Sequence, residues 1–439
     1  MLDDNVAQPW RARSTLVLAL TVVAVSLGNI QRLPYLLGEH GGGTFMLVYI
    51  LSLCVLSVPV LTAEVALGAL GRGSPSAVLH WATSVSNLDS RWRLVGMAQA
   101  ALALLTGVVV ALLALWLIDE AQLLHSQALA SGSAADFAHQ FVDRLADKPA
   151  QFRNALLLMA GIGIASAAGR RWGMGFLGWV ILPVVIVALF GALDFVLVYT
   201  DMRAVEEFLL ARDLSKWRLE SVWLAIESAG FTLGIGLGVG MALGAQAPSG
   251  LPWARTVLAV AVLDTAIMMV TAIVVTAVQF EVNLAPAQGM AALFVGVPYA
   301  FANLPLGEVY GALFFATLAL TSCAAVVVLL EPVVQLLCEE LALSRLGGAI
   351  IATTTAVLLI AVLLFGFQDP LAIVSRLISG YLIPISILFT SLFVGWWMPR
   401  PVVRGELYRE PQWLFRLWWV LLRWVVPPIC GVWLARAFF

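Results

Sequence analysis

Two stretches of the sequence place backbone-breaking residues and polar groups inside otherwise apolar runs. In the first, the run Leu16 to Val25 stops at Ser26-Leu27-Gly28-Asn29, resumes through Arg32-Leu33-Pro34-Tyr35 and ends at Glu39-His40-Gly41-Gly42-Gly43. In the second, Glu227-Ser228-Ala229-Gly230-Phe231-Thr232 leads into Gly234-Ile235-Gly236-Leu237-Gly238-Val239-Gly240. Glycine at that density weakens a helix by roughly 1 kcal/mol per residue. A helix broken inside a hydrocarbon layer frees N–H and C=O groups, each costing several kcal/mol, roughly, unless protein or a bound solute satisfies them. Freed carbonyls suit a cation, and half-helix N-termini suit an anion. The chemistry on offer is therefore binding of charged solutes at the midplane of a membrane. Close packing of small residues is the competing explanation for the second stretch. A phosphate-cradling loop fits poorly, because G-x-G-x-x-G spacing and a preceding strand are both absent.

The elements that must hold these stretches are membrane helices. A chain of 439 residues would otherwise suggest two or three soluble domains, but 62% hydrophobic residues with 11% charged, and a mean hydropathy of +0.97, mark an integral membrane protein. Apolar spans of a length that crosses a bilayer fall at 13–37, 43–70, 94–117, 154–169, 174–199, 221–245, 254–280, 309–337, 347–366, 371–397 and 412–438, which makes eleven helices. The first lacks a cleavage pattern and reads as a retained helix. Arg11, Arg13, Arg72, Arg91, Arg93, Arg170, Arg171, Arg255, Arg345, Arg400, Arg404 and Arg409 fall on one side of these spans. By the positive-inside rule the N-terminus is cytoplasmic and, with an odd number of spans, the C-terminus is outside, in the plasma (inner) membrane. The opposite loops at 118–152 and 201–220 read as solvated connectors. Segment 283–305, with Pro286, Pro298 and Pro305, reads as a short helical hairpin folded over an outer vestibule.

Spans one and six each begin a set of five, so the broken helices hold corresponding places in two halves of opposite topology. Such an arrangement points to a transporter's binding site. Spans three and eight, third in each set, should line it. The expected fold is all-α integral membrane: two inverted five-helix repeats, with the first and sixth helices unwound at the midplane, plus one extra C-terminal helix. The expected units are a cytoplasmic N-terminal segment 1–12, a first repeat 13–200, a second repeat 201–397, and a cytoplasmic connector with the eleventh helix, 398–439.

Other chemistries find little footing. Cys54, Cys323, Cys338 and Cys430 lie far apart, without C-x-x-C spacing, and read as free thiols. His40, His80, His125 and His139 are scattered, and neither H-E-x-x-H nor G-x-S-x-G occurs, so an enzyme is not expected. No basic arm points to nucleic acid.

The segment Ser26-Leu27-Gly28-Asn29-Ile30-Gln31-Arg32-Leu33-Pro34-Tyr35, followed by Glu39-His40-Gly41-Gly42-Gly43-Thr44-Phe45, resembles the signature GLGNxWRFPY…ENGGGAF of the neurotransmitter:sodium symporter family. The likeness continues through Glu64-Val65-Ala66-Leu67-Gly68, Phe231-Thr232-Leu233-Gly234, Pro286-Ala287-Gln288-Gly289, Leu320-Thr321-Ser322 and Leu330-Glu331-Pro332. It implies the leucine-transporter fold in an eleven-helix bacterial member, and sodium-driven uptake of amino acids or related amines by alternating access.

Carried over residue by residue, the resemblance implies two sodium sites. The second would use the carbonyls of Val22, Val25 and Leu318 with the hydroxyls of Thr321 and Ser322; the alternative is that these hydroxyls merely bond back to their own helix. The first would use the carbonyl of Ala24, the Asn29 side chain, Thr232 and Asp264. Here the family's usual LLNT reads Val262-Leu263-Asp264-Thr265, so an amide has become a carboxylate, while Met268 stands where many bacterial relatives carry an acid. Asp264 would supply the negative charge that chloride supplies elsewhere, and no chloride is expected.

A small zwitterion would lie against the amides of Leu27 and Gly28. Val110 stands where the family has a carboxylate-binding tyrosine, with Thr106 one turn earlier. Phe231 would cap the pocket, Gly234, Leu237 and Val326 would shape its far end, and the carbonyls of Ala24, Phe231 and Thr232 would take an ammonium. Ser26 replaces the aspartate of monoamine carriers, so a cationic amine lacks its counter-ion there. The gates are altered as well. Arg32 matches the outer-gate arginine, but its partner position aligns with Ser375, leaving Glu227 as the nearest acid; Trp10 and Glu339 match the inner gate, with Arg11 or Arg13 as the available arginines. These departures leave open a non-transporting or uncoupled solute-binding sensor of the same fold. Substrate identity and oligomeric state are not readable from the sequence.

Overall fold

A computed structural model describes residues 12–25, 27–126, 132–248, 250–284, 289–367 and 370–438. Among them there is helix and no strand. Each of the eleven expected apolar segments is helical, and among the described residues eight helices are long and apolar enough to cross a membrane. The first segment is instead two pieces, α1 (Arg13–Ala24) and α2 (Leu27–Glu39), and α1 leaves helical geometry at Val25, whose ψ is 79°. Then follow α3 (Gly43–Gly71), the short α4 (Pro75–Ser86), α5 (Arg93–His125), α6 (Ala134–Ala146), α7 (Lys148–Ala167), α8 (Phe176–Tyr199) and α9 (Met202–Leu210).

The sixth segment is also split, into α10 (Leu219–Thr232) and α11 (Val239–Gly244). The remainder is α12 (Trp253–Glu281), α13 (Val297–Ala302), α14 (Gly307–Glu340), α15 (Arg345–Gly366), α16 (Leu371–Trp397), α17 (Arg400–Glu406) and α18 (Gln412–Phe438). Helices α5 and α14, third in their respective halves, pack along one another through the middle of the molecule. That puts the most buried pair of helices directly beside the two breaks.

The glycines of the second break divide between two jobs. Gly234, Gly236 and Gly238 have φ of +63°, +78° and +67°, a left-handed conformation that side chains with a Cβ resist, and they unwind the chain. Gly240 and Gly244 serve close packing instead: a Cβ there would lie 2.6 Å from Glu64 Oε2 and 2.3 Å from the Val65 carbonyl oxygen of α3. Both explanations of the glycine run therefore hold, on successive turns of the same segment.

Two expectations are corrected. The loops at 118–152 and 201–220 are not plain connectors. Helix α6 begins with a Ser133–Asp136 capping box and buries Phe137 and Phe141, and α9 buries Val205 and Leu209. Their apolar residues repeat at i and i+4, so each pays for its ordering with one buried stripe. Within 283–305 the described part is a single helical stretch, a π turn Ala292–Gly296 running into α13, rather than a hairpin; residues 285–288, with Pro286 and Gln288, lie outside the described residues.

Candidate functional site

A cavity of 760 Å³ opens at the level of both breaks. Its floor is Val23 and Val25 from the end of α1, and Gly234 and Leu237 from the unwound stretch between α10 and α11. Thr106, Val109, Val110 and Leu113 of α5 form one wall, Ser322, Ala325 and Leu329 of α14 another, and Ile378, Ser379 and Ile383 of α16 a third. Toward the side of the 118–152 and 201–220 segments, which carry acids such as Asp136, Asp143, Glu206 and Glu207 and form the acid-bearing side, it passes Phe231, Arg32 and Ser375 and reaches Trp116, Phe141 and Met290.

Of the expected pocket residues, Thr106, Val110, Phe231, Gly234 and Leu237 line this cavity. Val326 does not: it is wholly buried, and its neighbour Ala325 takes the wall position. Ala24 is wholly buried as well, so its side chain is no wall, although its backbone ends α1 beside the cavity. Leu27 opens α2, which places half-helix amides at the break as expected; the side chains of Leu27, Gly28 and Asn29 lie outside the described residues, as does Ser26.

The unwound stretch is held by a polar frame. Glu64 Oε1 accepts the Gly236 N–H at 2.8 Å, Ser386 Oγ donates to the Gly236 carbonyl at 2.5 Å, and Gln99 Nε2 donates to Ser386 and Thr390 at 3.1 and 2.9 Å. Backbone groups released by the break are thus satisfied by side chains of α3 and α16, as an interrupted membrane helix requires.

The oxygen-rich surroundings expected for cations have two different characters. Asp264, on α12, is wholly buried and faces Thr232, the last residue of α10, yet among the described residues neither carboxylate oxygen receives a hydrogen bond of ordinary geometry. Tyr49 Oη donates to Thr232 Oγ1 at 3.1 Å, and Met268 Sδ lies 3.6 Å from that hydroxyl. A helix that ends at Ala24, packed against α12, leaves its last carbonyls without intrahelical partners. Orphaned carboxylate and freed carbonyls together fit a hard cation.

On α14, the Thr321 hydroxyl donates to the Thr317 carbonyl at 2.8 Å and that of Ser322 to Leu318 at 2.7 Å, so both bond back to their own helix. Each hydroxyl still has lone pairs to offer. Ser322 reaches the cavity beside Val25, whereas the Val22 side chain is buried. Among the described residues no group of three or more His, Cys, Asp or Glu side chains could hold a metal ion.

Residues 7–120 match the sodium:neurotransmitter symporter family. Over 95% of both chains the sequence is 24% identical to an uncharacterized sodium-dependent transporter of Bacillus subtilis, and over 97% of both it is 22% identical to another from Haemophilus influenzae. The solved structure of MhsT in complex with L-phenylalanine superposes with a TM-score of 0.86 at 24% identity, covering 98% of this chain and all of that one. The match to the family model covers the first interrupted helix and the helices that follow it as far as α5, and the superposition on MhsT shows that the whole chain has that fold. Members of this family are transporters, not enzymes.

The residues expected at the gates are where the geometry departs most from simple pairing. Arg32 and Ser375 line the same cavity, so the aligned position does meet the arginine but brings no charge. Glu227 lies within electrostatic reach of Arg32 and of Arg436 on α18. At the other mouth, both Glu339 oxygens accept the Ser74 N–H, at 2.8 and 3.1 Å, so this acid caps the start of α4. Trp10 and Arg11 lie outside the described residues. Arg13 Nε donates to Thr256 at 2.9 Å and is not a partner of Glu339.

Several residues of the site escaped the sequence reading. Tyr49 lies in an unbroken apolar run and gives no local signal. The Val109–Leu113 and Ile378–Ile383 walls are apolar residues among many. His40 Nδ1 lies 2.9 Å from Ser221 Oγ and ties the end of α2 to the start of α10, the two half-helices nearest the acid-bearing side. Burial lowers the His40 pKa from its ordinary 6.5, against the raising influence of Glu220 and Glu39. Its position beside the Gly41-Gly42-Gly43 run was visible; its partner was not.

Proposed function

We propose that this protein is a sodium-coupled symporter that imports a small amino acid or related zwitterion by alternating access, independently of chloride. The observation that carries the reading is Asp264, a buried carboxylate that faces the Thr232 hydroxyl and has no hydrogen bond of ordinary geometry among the described residues, beside the ends of both α1 and α10. Burying a charge in that condition is costly unless a counter-charge joins it. A sodium ion held by Asp264, Asn29, Thr232 and the Ala24 carbonyl supplies it. A second sodium would lie between the carbonyls of Val22, Val25 and Leu318 and the hydroxyls of Thr321 and Ser322.

The substrate carboxylate would rest on the α2 amides of Leu27 and Gly28 and on the first sodium, because Val110 on the facing wall has no donor. Its ammonium would meet the carbonyls of Ala24, Phe231 and Thr232, and a slender apolar side chain would lie beside Leu237. The L-phenylalanine bound by MhsT supports an amino acid as ligand. The aliphatic wall favours a smaller side chain here. Loading both ions and substrate ties α1, α2, α10 and α11 to α12 and α14, and rocking of one set against the other would expose the cavity to either side. The N-terminus would be cytoplasmic and the C-terminus outside.

The test is uptake into proteoliposomes under a sodium gradient, in chloride or in gluconate. The unmutated protein should transport equally in both. Asp264→Asn should lose transport or come to need chloride, which would replace the fixed charge from solution. Chloride-dependent uptake by the unmutated protein would overturn the reading, and sodium-dependent binding without uptake would identify a sensor instead.

A further inference from the structure

At the arginine-rich end of the molecule, α16 and α18 meet where each makes a π turn, Phe393–Trp397 and Leu421–Val425. Such turns concentrate at functional sites. Gly395 admits the approach: a Cβ there would lie 3.0 Å from Arg423 Cα. The Arg423 guanidinium carbon lies 4.3 Å from the Trp396 ring centroid and 5.5 Å from that of Trp424, and Trp396 Nε1 donates to the Arg423 carbonyl at 3.0 Å.

This cation has no acid. Among the described residues Arg423 takes part in no ion pair, its side chain donates to no protein acceptor, and its buried Nε is unpartnered. Indole faces attract the charge but offer no lone pairs to the guanidinium N–H groups. The two indoles are 43% and 57% exposed, on the surface that lipid must cover. Depth is fixed by Trp397, the last residue of α16, whose ring lies 4.9 Å from that of Trp92, just before α5. Arg423, near the middle of α18, therefore faces the last turn of α16 and lies beside the arginine-side ends of α16 and α5. Arg416, exposed and two turns nearer the arginine-rich side, continues the same stripe of α18.

We propose that Arg423, Trp396 and Trp424 form a binding site for the phosphate of an anionic phospholipid in the leaflet on the arginine-rich side. A guanidinium fork matches phosphate oxygens in pairs, tryptophan belongs at the headgroup level, and an anionic leaflet attracts basic residues there. Arg423, Trp396 and Trp424 are not among the residues that line the cavity.

The test is native mass spectrometry of the full chain titrated with phosphatidylglycerol or phosphatidylcholine, together with thermal unfolding in nanodiscs of each lipid. Phosphatidylglycerol should bind the tighter, and Arg423→Gln should weaken it about fivefold, one basic residue's share, while leaving phosphatidylcholine binding unchanged. Arg423→Lys should keep part of the preference. Trp424→Leu, at an exposed position, should lower it in a protein that folds. An unchanged phosphatidylglycerol preference in Arg423→Gln would overturn the proposal, as would an equal loss of thermal stability in both lipids, which would mark a packing clamp. Inorganic phosphate reproducing the stabilisation in phosphatidylcholine nanodiscs would overturn the lipid as its source.

Discussion

Glu331 and Asp264 are both wholly buried acids in long membrane helices, and their surroundings are opposite. Glu331 takes both arms of Arg345, at 3.0 and 2.7 Å, and the amides of Gln246 and Gln335, at 2.8 and 3.0 Å. Arg345 also reaches the Ser166 carbonyl at 3.0 Å, so one carboxylate joins α14, α15, the end of α11 and α7. Among the described residues Asp264 faces the Thr232 hydroxyl, with Tyr49 behind it, and has no hydrogen bond of ordinary geometry. The contrast separates two uses of a buried charge: a saturated one fixes helices to each other, and an unsaturated one keeps its oxygens for something that arrives. Glu64, with one oxygen on the Gly236 N–H and the other beside Gly240, stands between them and braces the unwound stretch.

The largest expected effect comes from breaking the saturated side. Arg345→Met should cost about 3–5 kcal/mol, because it strands a buried carboxylate, and should appear as a large fall in the thermal unfolding midpoint. Adding Glu331→Gln should restore most of it. If Arg345→Met alone unfolds like the unmutated protein, the pair does not have the role assigned to it.

A smaller effect of opposite sense is expected at the unsaturated acid. In potassium, Asp264→Asn should be at least as stable as the unmutated protein, since it removes an uncompensated charge. In sodium at a hundred times its dissociation constant, the unmutated protein should gain about 2.7 kcal/mol by mass action, and the variant should lose that gain. Destabilisation of the variant in potassium would place Asp264 with Glu331 as a structural acid.

His40 supplies the smallest test, on a group that is only partly buried. Its folded pKa lies below the ordinary 6.5 because burial disfavours the charged ring, so the unfolded chain binds more protons as pH falls. The stability tied to neutral His40 is therefore present above about pH 6.5 and is lost as pH falls toward the folded value. His40→Asn should flatten that part of the thermal-stability profile slightly, and an unchanged slope would show that the ring titrates as it does in the unfolded chain.

What was legible in the sequence was local. The split of α1 from α2 and of α10 from α11 was visible because glycine and polar residues interrupt apolar runs, and an interruption needs no distant partner to be seen. Helix α6 is legible in principle, from Ser133-x-x-Asp136 before Phe137 and Phe141, but its stripe is too short to set it apart from a solvated loop. Tyr49 was not legible, since what sets it apart is a hydroxyl 183 positions distant in the chain. For the same reason Glu331 could be noted as part of a motif but not as the partner of Gln246, 85 positions away.

By itself, then, the sequence determined that the chain is a bundle of membrane helices with two interrupted members, because hydropathy and backbone permissiveness are properties of single residues and short runs. Tertiary structure alone decided which buried acid is answered and which is not. Asp264 and Glu331 are each one acid in an apolar helix; only the neighbours that packing brings from α3, α10, α11 and α15 distinguish an oxygen left for a cation from one already taken.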